Sequence, residues 1–88
     1  MGGGRMKIVK NIPKTTYIKD KTPNLKELQD MVGGLIQVIQ LKDKQIIIDE
    51  EGKLKGKEFN GEATELWDVN YDVIVGDAVV LSGKAVLK

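Results

Sequence analysis

The chain contains neither cysteine nor histidine. The first absence excludes disulfides and thiolate chemistry, and the second removes the commonest general base; together they take away the usual ligands of a transition metal. A chain without cysteine suits a reducing, cytoplasmic compartment. Aromatic residues make up only 5%, so aliphatic Ile, Val and Leu must fill the interior. Charge of one sign is also lacking: 14 Lys and Arg stand against 13 Asp and Glu, a formal +1, which gives no field to steer the protein onto nucleic acid. A sequence-specific nucleic-acid reader is therefore disfavoured. Apolar runs are all short, so no segment is expected to span a membrane, and no charged-then-apolar leader suggests secretion.

At 88 residues the chain can build one modest core, since folding at this size buries about two thirds of the unfolded surface. Each fully buried aliphatic side chain contributes roughly 1.5–3 kcal/mol against the ordering entropy, so a homodimer is a natural supplement. Met1–Arg5, mostly glycine, reads as a flexible leader, with Met6 as a start in its own right. Residues 6–88 read as a single domain.

Met6, Ile8 and Ile12 alternate with Lys7, Lys10 and Asn11 before Pro13 stops the ladder, which predicts a first strand over 6–12. Thr15–Ile18 are strand formers and predict an edge strand paired with the first in a hairpin. Either Thr22, ahead of Pro23, or Asn24, with Glu27 three residues on, can cap a helix. Leu25, Leu28 and Val32, with Met31 beside them, form its apolar stripe and Gly33-Gly34 its stop, giving a main helix at about 24–32. Leu35–Leu41 and Gln45–Asp49, around Lys42-Asp43-Lys44, predict a hairpin; the consecutive Ile46, Ile47 and Ile48 predict a central strand covered on both faces. Lys53–Gly61 reads as a loop, after which Asn60 caps a short helix at about 61–67 with Ala63, Leu66 and Trp67 on the core side. Asp72–Val75 and Ala78–Leu81 read as one strand bent by a bulge at Gly76-Asp77, and Ala85–Leu87 as a last short strand. The expected class is α+β: a small mixed, mainly antiparallel sheet with one main helix and a short second one.

Few segments hold chemistry. Asp49-Glu50-Glu51-Gly52 sets three carboxylates in a row, but a calcium loop needs acids at alternate positions and a Glu six residues after its glycine. A solvated turn is the plainer reading. Gly52-Lys53-Leu54-Lys55-Gly56-Lys57-Glu58 has the outline of a phosphate loop, yet it lacks one spacer residue and the Ser or Thr that holds magnesium. Glycine amides with Lys53, Lys55 and Lys57 can still hold an anion without catalysis, against the plainer reading of a wet lysine surface. Trp67 and Tyr71 can stack a base or fill a partner's pocket, although a lone Trp at helical spacing is more often core. Ser82 has no nucleophile elbow and no His to serve it, which excludes a triad.

The order of segments carries a resemblance. The run from Leu25 through Gly33-Gly34 to Ile36-Gln37-Val38, then Asp49-Glu50-Glu51-Gly52-Lys53-Leu54, Asn60 with Ala63-Thr64, and Asp72-Val73-Ile74-Val75-Gly76 resembles a family of small proteins from bacteriophages, plasmids and their hosts. That family is catalogued as domain of unknown function thirty-eight forty-six. The likeness spans roughly Met6 to Leu81, with Ser82–Lys88 extending past it, and it implies a mobile-element protein in a bacterial cytoplasm while importing no catalytic residue. The glycines it shares have folding explanations; Asn60 and Thr64 have none as obvious, which makes them site candidates.

The expectation is a non-enzymatic binding protein, without cofactor or metal, that takes a host protein or a small anionic, nucleotide-like ligand in an anti-defence role. Lys53, Lys55, Asn60, Thr64 and Trp67 are its candidate ligand-binding residues. A homodimeric accessory module with no small ligand is the alternative. A metal-assisted hydrolase built on Asp49, Glu51 and Asp77 is the third reading.

Overall fold

A computed structural model describes residues 12–68, 70 and 72–88. Those residues form four strands, Thr15–Ile18 (β1), Ile36–Gln40 (β2), Lys44–Asp49 (β3) and Ala78–Ser82 (β4), and two α-helices, Leu25–Val32 (α1) and Gly61–Trp67 (α2). The sheet order is β1-β4-β3-β2. β2, β3 and β4 pair antiparallel, and β1 lies parallel to β4 with Thr15 opposite Ala78. The α+β class with a mixed, mainly antiparallel sheet is thus the observed one.

The isoleucine run of β3 explains why the sheet has two cores. Side chains alternate across a strand, so Ile47 joins Val79 and Leu81 under α1, while Ile46 and Ile48 join Ala78 and Val80 under α2. α1 contributes Leu28 and Val32, one turn apart, and α2 contributes Ala63 with Leu66 and Trp67 packed beside it. β3, between β2 and β4, is covered on both faces, as three successive isoleucines require.

α1 begins where its sequence says. The Asn24 side chain accepts from Glu27 N at 2.8 Å and Glu27 Oε1 accepts from Asn24 N at 2.9 Å, a reciprocal capping box, so Asn24 and not Thr22 is the cap. Gly33 closes the helix at φ 86°, a left-handed conformation that glycine adopts without a Cβ penalty. Thr22 instead donates to Ala85 O at 2.9 Å and pins the C-terminal segment.

One expectation lies beyond the described residues, and two change. The strand proposed over 6–12 falls almost wholly outside the described residues, as does the leader 1–5; β1 draws its described partner from the far end of the chain, β4. The bent strand over 72–81 is not formed: the ladder is confined to Ala78–Ser82, and Val75 makes a single bridge to Phe59. The reason is competition for backbone groups. Ile74 N donates to Thr64 Oγ1 at 2.8 Å, Ile74 O accepts from Asn60 N at 2.8 Å, and Gly76, at φ 80°, donates to Glu58 O at 2.7 Å. Residues 74–76 therefore bond to α2 and its approach. Finally, Gly83–Ala85 is a 3₁₀ turn and the expected Ala85–Leu87 strand is absent. Leu87 is held by one side chain, its N–H donating to Gln45 Oε1 at 2.6 Å and its carbonyl accepting from Gln45 Nε2 at 3.2 Å.

Candidate functional site

The segment after β3 is organised by a carboxylate at its root. Along β3 the inward alternation of Gln45 and Ile47 continues to Asp49, which is 3% exposed. Asp49 Oδ1 accepts from Glu51 N at 2.8 Å, and Oδ2 lies 2.8 Å from both Lys55 Nζ and Lys57 Nζ. The same two ammonium groups also donate to the last carbonyls of α1, Lys55 to Gly33 O at 3.1 Å and Lys57 to Val32 O at 2.7 Å. These are carbonyls a helix leaves without a partner, at the negative end of its dipole. Burial pushes the Asp49 carboxyl up, but the bonds from Lys55, Lys57 and the Glu51 amide outweigh it and hold the pKa lowered to about 2.

Asn60 and Thr64 form a second, separate network. Asn60 Oδ1 accepts from Ala63 N at 2.9 Å and from Thr15 Oγ1 at 3.2 Å, while its Nδ2 donates to Gly76 O at 2.9 Å. Thr64 Oγ1 donates to Asn60 O at 2.7 Å and accepts from Ile74 N. Both residues are buried, and these bonds tie α2, β1 and the 74–76 segment together. The folding role that the sequence left obscure for these two residues is this one.

The third feature is a cleft. Gln37 and Ile39 of β2 and Ile48 of β3 are among the residues of its floor; Leu54, Trp67, Val73 and Val75 wall it, and Glu50, Lys53 and Asp72 rim it. Its volume is about 130 Å³, below the roughly 300–1,000 Å³ of small-molecule sites. Leu54 stands 87% exposed at its edge. Across the rim the Lys53 ammonium meets the Asp72 carboxylate, and that bond, with one from Val73 N, lowers the Asp72 pKa.

The five candidate residues are therefore divided among three places. Lys53 and Trp67 share the cleft, Lys55 belongs to the Asp49 cluster, and Asn60 and Thr64 lie in the buried network. Tyr71 lies outside the described residues. The three carboxylates of the hydrolase reading are not gathered either: Asp77 accepts from Lys14 N at 2.9 Å, and among the described residues no three acidic side chains converge on a point that could hold a metal. The expected solvated turn holds for exposed Glu50 and Glu51 but not for Asp49, which alternation turns inward. Sequence reasoning missed Asp49 as a hub, although period-two counting from Ile47 would have found it. It also missed Leu54 and Val73, whose meeting with Trp67 no local signal announces.

Fold and site define a small α+β module with a sheet covered on both faces and a cleft of side-chain size beside an outer strand. The family model described as a domain of unknown function, DUF3846, matches residues 6–85, and the chain belongs to that family. No curated protein and no solved structure matches it. Among the described residues no helix is long and apolar enough to cross a membrane.

Proposed function

We propose that this is a binding protein without chemistry of its own, which grips an apolar side chain from a segment of a bacterial host protein in the Trp67 cleft. The observation that carries the reading is the cleft itself: apolar walls, about 130 Å³, and an uncovered Leu54 at its edge. A volume near that of one large aliphatic side chain suits an anchor residue, and a Trp beside an exposed Leu supplies the apolar surface that anchors use. The absence of His and Cys supports a role by occupancy rather than catalysis. In a phage or plasmid setting, such a module fits an anti-defence role in the host cytoplasm, covering the working surface of a defence protein.

The small-anion version has less behind it, because each of its three lysines already faces a carboxylate: Lys53 meets Asp72, and Lys55 and Lys57 meet Asp49. A photo-crosslinking residue in place of Leu54, expressed in the bacterial host, tests the reading. One host protein should be captured there, lost with Val73→Asp, and not captured from Lys26 on the exposed side of α1. Equal capture from both positions would refute it, and binding heats with nucleotides that survive Val73→Asp would replace it with the anion reading.

A further inference from the structure

β2 ends the sheet on the side away from β1, and among the described residues no strand lies beyond it. Its sequence, Ile36-Gln37-Val38-Ile39-Gln40, contains no charge and no proline, two devices that commonly blunt an exposed edge. The ladder fixes which backbone groups are taken. Leu35 O accepts from Glu50 N at 2.8 Å and Leu41 N donates to Lys44 O at 2.8 Å, so odd-numbered positions turn toward β3. By the alternation of an antiparallel pair, Ile36, Val38 and Gln40 turn their N–H and C=O groups outward.

We propose that the β2 strands of two copies of this chain pair antiparallel about a two-fold axis at Val38, joining two sheets into one. In that register Val38 faces Val38 of the partner subunit and Ile36 faces Gln40 of the partner subunit. All the outward groups of the three residues then find partners, about six hydrogen bonds in the antiparallel pattern. Val38 is 41% exposed and Leu35, at the strand entry, 57%; both would be covered.

The two ends of β2 carry opposite charge, and this selects the antiparallel arrangement. At the exit, Lys42, Asp43 and Lys44 make a net +1, with Lys44 Nζ 3.1 Å from Asp43. At the entry, three carboxylates, Asp49, Glu50 and Glu51, outnumber Lys55 and Lys57 for a net −1. Antiparallel pairing sets each basic turn beside the other copy's acidic corner, whereas parallel pairing would set like ends together. The chain's own N-terminal residues are a less apt occupant, because they lead into β1 at the opposite end of the strand order.

Sedimentation equilibrium of the full chain should give a dimer, and Val38→Glu, which opposes two carboxylates on the axis, should raise its dissociation constant about a hundredfold or more. Val38 belongs to neither core, so the variant should keep its far-ultraviolet circular dichroism spectrum while its melt loses any dependence on protein concentration, and Val38→Thr should stay dimeric. Lys42→Glu should weaken the dimer and Lys42→Glu with Glu50→Lys should restore it. A monomer at every concentration, or a dimer indifferent to Val38→Glu, would overturn the proposal. So would slow amide exchange at Val38 and Gln40 in dilute monomer, which would assign the edge to the chain's own N-terminal residues. Neither Val38 nor Lys42 lines the Trp67 cleft, so their single variants let this proposal and the host-protein reading stand or fall separately.

Discussion

Lys57 Nζ sits 2.8 Å from the Asp49 carboxylate and 2.7 Å from the carbonyl of Val32, so one ammonium group joins the end of β3, the end of α1 and the loop that separates β3 from α2. Lys55 repeats the arrangement through Gly33. A lysine-rich loop that reads as free cation in the sequence is thereby neutralised and tied to the fold.

Acid should loosen this tie. The Asp49 pKa is lowered to about 2, below the ordinary carboxylate value near 4, so its contribution is present above pH 4 and is lost as pH falls toward 2. Urea unfolding of the wild type should lose about 2 kcal/mol over that window relative to Asp49→Asn, whose residue 49 does not titrate.

At neutral pH, Asp49→Asn should itself destabilise the protein by about 2–3 kcal/mol. That is short of the 3–5 kcal/mol for breaking a wholly buried pair, because the lysine side chains are 40% and 24% exposed and regain water. A lowered urea midpoint with unchanged m-value is the expected signature.

Asn60→Ala removes the α2 cap and leaves Gly76 O and Thr15 Oγ1 without their partner, and should cost about 2–3 kcal/mol. Thr64→Val strands Ile74 N and should cost about 1–3 kcal/mol. Because the two residues share one network, the double variant should lose less than the sum of the singles, which a double-mutant cycle of unfolding free energies would measure. Strict additivity would show that they act independently.

The Tyr17 hydroxyl donates to the Glu62 carboxylate, linking β1 to α2, and that bond, with burial and the carboxylate's charge, raises the tyrosine pKa. Stability from the bond is present below pH 10 and lost as pH climbs through the raised value. Glu62→Gln should bring the Tyr17 titration, followed by NMR of the ring, back down toward the ordinary value of about 10.

Much of the fold was legible because it is set by neighbours in sequence. The capping box of Asn24 and Glu27, the left-handed stop at Gly33, the β2–β3 hairpin and the capped α2 all rest on contacts within a few residues. Three adjacent isoleucines likewise required a strand buried on both faces, and the structure supplies a helix for each face. The bent strand and the final strand were misread because β-branched residues favour a ladder, while the backbone of 74–76 and of Leu87 was claimed by the side chains of Asn60, Thr64 and Gln45. Those bonds join residues 10 to 42 positions apart, and propensity does not register them.

By itself, then, the sequence determined the helices, the hairpin, the apolar faces and the poverty of catalytic groups, since each follows from residue type or short spacing. Only the tertiary structure decided that β1 lies parallel to β4, that Lys55 and Lys57 face Asp49 and the end of α1, and that Leu54, Trp67 and Val73 share one cleft. Each of those pairings is made by packing α1 and α2 on opposite faces of the sheet, which brings distant segments together to bury apolar surface and to satisfy the polar groups that burial would otherwise leave unpaired.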